Sequence, residues 1–154
     1  MTFDAWLLRI HLTLIALGFL SLVAAVLCAA MYLAQSWQLK SKHIGSMFLR
    51  LPSLAALDRA HFITLGWGVM LFSAGILGGF FSAKNRVELA AVLKDPKVTL
   101  SLTACLIYWV ILSLRLLELK RGQKIAVGTL LTFALLFAVM GGMHHSALDF
   151  HKGY

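Results

Sequence analysis

The sequence predicts an all-α membrane protein, a four-helix bundle with both termini on the outer, periplasmic side. Two observations fix the class. Hydrophobic residues make up 60% of the 154 residues and charged residues 13%, with a mean hydropathy of +0.86, and one soluble core of this size could not bury that much apolar surface. Four apolar stretches, about residues 10–34, 61–83, 98–117 and 125–144, are each long enough to cross a hydrocarbon layer, and Arg115 is the one charge within them.

The first stretch is too long for a cleaved signal peptide and has neither a basic start nor a small-residue cleavage site, so it is expected to be retained. Residues 35–50 then turn polar and basic, with Trp37 at headgroup level, which predicts the end of the helix at the membrane surface. Chain direction resets at Leu51-Pro52-Ser53, where Pro52 suits a first turn and Ser53 a cap, and residues 54–61 read as a short amphipathic run into the second span.

That second span carries Gly66, Gly68, Gly75, Gly78 and Gly79, with Gly75 and Gly79 four apart on one helical face. Such a face lets a second helix approach closely or leaves a flat surface for a planar ligand, and it is also the expected docking place for a partner subunit. Pro96, within Asp95-Pro96-Lys97, is placed to start the third helix, near whose end Arg115 must snorkel. The fourth stretch closes in Gly141-Gly142-Met143-His144-His145-Ser146 before a polar tail, and residues 1–154 read as one transmembrane domain.

Basic residues set the orientation. Lys40, Lys42, Arg50 and Arg59 around the first connection, and Arg115, Lys120, Arg121 and Lys124 around the third, face only Asp58 and Glu118, so both connections are expected on the cytoplasmic side. The second connection, with Lys84, Arg86, Lys94 and Lys97 against Glu88 and Asp95, then lies outside with both termini, in the inner (plasma) membrane. The formal net charge of +8 reads as attraction to anionic lipid, not to nucleic acid.

Several chemistries find no machinery. Cys28 and Cys105 both fall within spans, without the spacing of a disulfide or a thiolate metal site, and no Cys-x-x-Cys-His attaches haem covalently. No acid pair, Ser-His-Asp set or phosphate-cradling glycine loop can be assembled, so no enzyme activity is expected.

Histidines carry the remaining chemistry. His11 opens the first stretch and His144 and His145 close the last, which the topology puts on one side of the membrane. An imidazole in or at a membrane needs a partner, and two imidazoles from different helices are the commonest axial pair for haem b bound non-covalently. Adjacent helical residues diverge by about 100°, so one of His144 and His145 would be the ligand. His145 shares a stripe with the small residues Ala138, Gly141 and Gly142, while His144 continues the bulkier stripe of Phe137 and Met140, and Met143 is a weaker alternative donor. Arg9 and Arg86 are placed to pair with haem propionates, against the plainer reading that they are solvated. His61 and His43 belong to the opposite side, with structural or solvated roles, and His151 in the tail has nothing to specify it.

Taken in order, Tyr32-Leu33-Ala34-Gln35 with Leu39-Lys40, Leu51-Pro52-Ser53-Leu54 with Leu57-Asp58, Gly66, Gly75-Ile76-Leu77-Gly78, Asp95-Pro96-Lys97, Ile107-Tyr108, Leu112 with Arg115, Arg121-Gly122 and Gly142-Met143-His144-His145-Ser146 resemble the cytochrome c assembly protein family, the CcsA/HemX-like membrane proteins that handle haem. The resemblance covers nearly the whole chain. It implies a short four-span member in which His11 takes the first external haem-ligand position and His144 or His145 the second. Two departures argue against delivery of haem through the membrane and its ligation to apocytochrome: no tryptophan lies between Lys84 and Lys97, and Ser113 stands where longer members carry a membrane-embedded histidine.

The function expected is therefore haem binding at the outer face for cytochrome c maturation or haem handling, with membrane lipid, other membrane subunits and cytochrome assembly proteins as partners. The competing readings are a haem b electron-relay subunit of a respiratory complex and a haem-free scaffold or regulatory subunit.

Overall fold

A computed structural model describes the backbone of residues 3–41, 52–83, 96–117 and 122–149, and within these the side chains of residues 6–41, 52–81, 98–117 and 122–137. Its elements are four helices, α1 (Phe3–Ser41), α2 (Leu54–Ala83), α3 (Pro96–Leu116) and α4 (Gln123–Asp149), with no strand among the described residues. Three segments, Trp6–Ser41, Leu54–Phe81 and Val98–Leu116, are long and apolar enough to cross a membrane, and the described part of α4 adds the shorter apolar helix Gln123–Phe137. Large apolar side chains such as Leu20, Trp67, Phe81, Leu106 and Leu131 are exposed around the outside, as expected where lipid is the solvent.

Helix boundaries follow the backbone and not the hydropathy. α1 continues to Ser41, beyond the expected end near residue 34, because no Gly or Pro interrupts Gln35 to Lys40. Its 39 residues rise about 58 Å, well past a hydrocarbon core of about 30 Å. Residues 54–61 are likewise not a separate run but the first two turns of α2, since Ala55, Ala56 and Leu57 are good helix formers with no breaker behind them. Ser53 caps that helix as expected, accepting from the Ala56 amide at 3.3 Å. Pro96 opens α3, where its missing N–H has no cost.

Successive helices run antiparallel. α1 makes its most extensive contact with α2 and a smaller one with α4, and α3 packs on α2 and α4, so α1 and α3 lie on one diagonal of a square bundle. The α1–α2 seam is close because glycine replaces a side chain at each crossing. A Cβ at Gly18 would stand 2.7 Å from the Phe72 backbone nitrogen, one at Gly68 2.8 Å from Leu22, and one at Gly75 2.7 Å from Ile15. Helix packing is thus what the glycine face of α2 does, and α1 already fills the place expected for a partner subunit; only Gly66 meets nothing within 4 Å. Phe19 and Phe133 join α1 to α4, with ring centroids 5.6 Å apart. At the centre Leu22, Leu65, Val69 and Tyr108 are buried, and the Tyr108 hydroxyl has no hydrogen-bond partner among the described residues.

This topology gives the bundle two unlike ends. The chain-terminal end holds the start of α1, the end of α2, the start of α3 and the end of α4. The opposite end, called here the loop end, holds the α1–α2 and α3–α4 connections.

Candidate functional site

His11 stands at the chain-terminal end, partly buried between α1 and α2. Its Nδ1 lies 2.6 Å from the Gly75 carbonyl oxygen on α2. The ring rests on Gly79, where a Cβ would come within 2.8 Å of Cε1 and 3.1 Å of Nδ1. The same antiparallel seam that pairs Ile15 with Gly75 and Leu22 with Gly68 therefore delivers the imidazole to a backbone oxygen in an otherwise apolar wall. Arg9, one half-turn earlier, is exposed.

α4 brings the other histidines to this end. From the Phe19–Phe133 pair, eight residues back along α1 reach His11 and eight forward along α4 reach Gly141, each a rise of about 12 Å. The backbone of His144 and His145 follows within about 6 Å more, still inside α4. The side chains of Met143, His144 and His145 lie outside the described residues, as does all of Arg86. His43 and His151 lie outside them too.

The loop end is built differently. His61 is 4% exposed and spans the other diagonal of the bundle to Thr129 on α4, at 3.1 Å from Nε2 to Oγ1. Because the Thr129 hydroxyl donates to the Ile125 carbonyl, it accepts from His61, which carries its proton on Nε2. One turn earlier on α2, Asp58 forms an ion pair with Arg115 of α3, and the guanidinium also lies over the Phe62 ring at 5.9 Å. Arg115 is therefore held within the bundle, its side chain only 14% exposed, and does not snorkel freely as expected.

Further polar ties surround the pair. The Gln35 amide donates to the Pro52 carbonyl at 3.1 Å, and the Lys40 ammonium to Gln123 at 2.7 Å. Gly122, at φ 64°, turns the chain into α4 directly beneath the Tyr32 hydroxyl, a conformation and a contact that exclude a side chain. A cleft of about 300 Å³ opens here, lined by Tyr32, Leu54, Ala55, Asp58, Gly122 and Gln123.

Sequence reasoning placed His61 correctly on the far side from His11 but missed the Asp58–Arg115 pair. The signal was available: six acidic residues in 154 make each one within an apolar chain costly, and the expected topology put Asp58 and Arg115 at one membrane surface. The two cysteines are free, with Cys105 Sγ 3.2 Å from the Ser73 hydroxyl. Among the described residues no group of three or more His, Cys, Asp or Glu comes together as a metal cage.

Compared with known proteins, the chain matches one family, described as Cytochrome C assembly protein, over residues 2–142. No curated protein and no solved structure matches it. A match across that much of the chain establishes membership: the protein belongs to the cytochrome c assembly protein family, and its place is in the biogenesis of c-type cytochromes in a membrane.

Proposed function

We propose that this family member holds haem b non-covalently at the chain-terminal end of its bundle, with His11 as one axial ligand and His144 or His145 as the other. The observation that supports this most is the single tie on His11: one ring nitrogen is engaged by the Gly75 carbonyl, and the other has no hydrogen-bond partner among the described residues. Histidines that bind metals are commonly oriented in this way, their second nitrogen held by a carbonyl or carboxylate. The donor chemistry fits a haem iron, which takes neutral imidazole from two elements on opposite sides of the ring.

When bound, the iron porphyrin would supply either a cargo for cytochrome maturation or a one-electron centre. The chain's own residues would bind and orient it. His11, on the α1–α2 seam, and His144 or His145 at the end of α4 would hold the iron, and Arg9 and Arg86 would pair with the propionates. The distribution of basic residues favours this end on the outer, periplasmic side of the inner membrane. The role is one of holding haem for other membrane subunits and assembly proteins, without catalysis by this chain.

Purification with added haem tests the reading. A reducible, low-spin b-type spectrum that disappears on His11→Ala and on the double change His144→Ala with His145→Ala supports it. A haem content and spectrum indifferent to both would sink it. Deleting the gene then separates roles: apocytochromes c made without their haem indicate assembly, whereas normal holocytochromes with lost respiratory activity indicate electron relay.

A further inference from the structure

A neutral imidazole carries its proton on one of two nitrogens, and only the bare nitrogen can bind a metal. We infer that the α2 backbone fixes His11 as the Nδ1–H tautomer, leaving Nε2 as the metal-facing nitrogen, and that Gly79 is the positioning residue that admits the ring. The part of this that concerns metal rests on the haem reading above; the part that concerns the ring does not.

The proton is assigned by its partner. A backbone carbonyl can only accept, so the 2.6 Å contact between His11 Nδ1 and the Gly75 oxygen requires a hydrogen on Nδ1. A swap to the other tautomer loses this bond and gains no partner among the described residues. His61 at the loop end is held in the opposite form, its proton on Nε2 and directed at Thr129. The two buried or partly buried histidines of the described bundle thus differ in which nitrogen is spent on structure.

Gly79 makes the arrangement possible. A Cβ there would lie 2.8 Å from Cε1, 3.1 Å from Nδ1 and 3.4 Å from Nε2, against the ring itself. Gly78, its neighbour, is an internal control, because a Cβ there would meet the His11 Cβ and Cα at an ordinary 3.7 and 3.9 Å and not the ring. Two adjacent glycines on one helix therefore have different duties. Gly79 must stay small for the ring to reach Gly75, and Gly78 need not for that purpose.

Nitrogen-15 NMR of the full chain in lipid nanodiscs, labelled at histidine, haem-free and at mildly alkaline pH, reads the tautomer directly. The His11 signals are identified by their loss in His11→Ala. The expected result is a protonated Nδ1 and a bare Nε2 in the wild type and in Gly78→Ala, and loss of that single form in Gly79→Ala. Ferric haem titrated into the same samples should bind Gly79→Ala about ten- to hundredfold more weakly, the usual cost of disturbing a group that orients a ligand, with Gly78→Ala unchanged. A wild-type His11 protonated on Nε2 or averaging between forms overturns the inference, as does a Gly79→Ala ring indistinguishable from wild type. If Gly79→Ala fails to fold, the wild-type tautomer still decides. A fixed Nδ1–H ring that is lost in Gly79→Ala, in a protein that takes up no haem, supports the positioning by Gly79 and overturns the haem reading alone.

Discussion

The two ends of the bundle use polar residues in opposite ways. At the loop end side chains bind one another across helices: Asp58 to Arg115, His61 to Thr129, Lys40 to Gln123. At the chain-terminal end the described α1 and α2 meet closely through glycines, and His11 donates a single hydrogen bond from one side of its ring to a backbone carbonyl, as Ser21 does to Thr64 farther along the same seam. Inside a membrane an ionisable group is costly, and it is kept for structure when its partners close around it or for chemistry when one donor stays open. His61 and His11 each make one hydrogen bond among the described residues, but His61 stands beside the Asp58–Arg115 ion pair and reads as part of a clasp, whereas His11 stands against glycines and reads as a site.

The largest effect should come from opening the clasp. Arg115→Ala leaves the Asp58 carboxylate without its partner and is expected to lower stability by about 3 kcal/mol, read as a drop in the thermal midpoint in detergent. Reversing the pair, with Asp58→Arg and Arg115→Asp together, should recover part of that loss. If Arg115→Ala melts like the wild type, the loop end is not held by this pair.

Next in size is the seam. Gly18→Ala pushes a Cβ against the Phe72 backbone and Gly68→Ala against Leu22, and each should cost about 1–3 kcal/mol by overpacking. Gly66→Ala, with open space around it, should be neutral or gain up to about 1 kcal/mol of helix propensity. Equal effects at all three positions would mean that the α1–α2 approach is looser than described.

Smaller again is His61→Ala, expected to cost about 1–2 kcal/mol by removing the bond to Thr129 and leaving a cavity, while leaving any haem spectrum intact. The smallest effect belongs to Tyr108→Phe. Its hydroxyl is buried without a partner among the described residues, so removing it should leave the midpoint unchanged or raise it by about 1 kcal/mol. A clear loss of stability in Tyr108→Phe would reveal a hydrogen bond that the described residues do not supply.

Much of the bundle was legible in the sequence. Lipid imposes uninterrupted apolar length on each span, and the four stretches became the four helices; the Gly75 and Gly79 spacing announced a close helix contact before its partner was known. Helix ends were less legible, because hydropathy marks where lipid stops while a helix runs on through polar residues that do not break it, as α1 does from Gln35 to Ser41. Pairings were the least legible. Asp58 and Arg115 are 57 positions apart and His61 and Thr129 are 68 apart, and nothing local distinguishes Arg115 from a snorkelling cation or Thr129 from a threonine bonded only to its own helix. His11 was picked out by its place at the start of the first apolar stretch, but its tie to the Gly75 carbonyl depends on the register of two helices, which no local pattern encodes.

Absorption spectra of haem-loaded His11→Ala and His61→Ala proteins, recorded side by side with the wild type, put the contrast between the ends to its sharpest test. A low-spin b-type spectrum lost in His11→Ala and kept in His61→Ala is the predicted result. A spectrum kept in His11→Ala, or lost only in His61→Ala, would contradict the assignment of site and clasp.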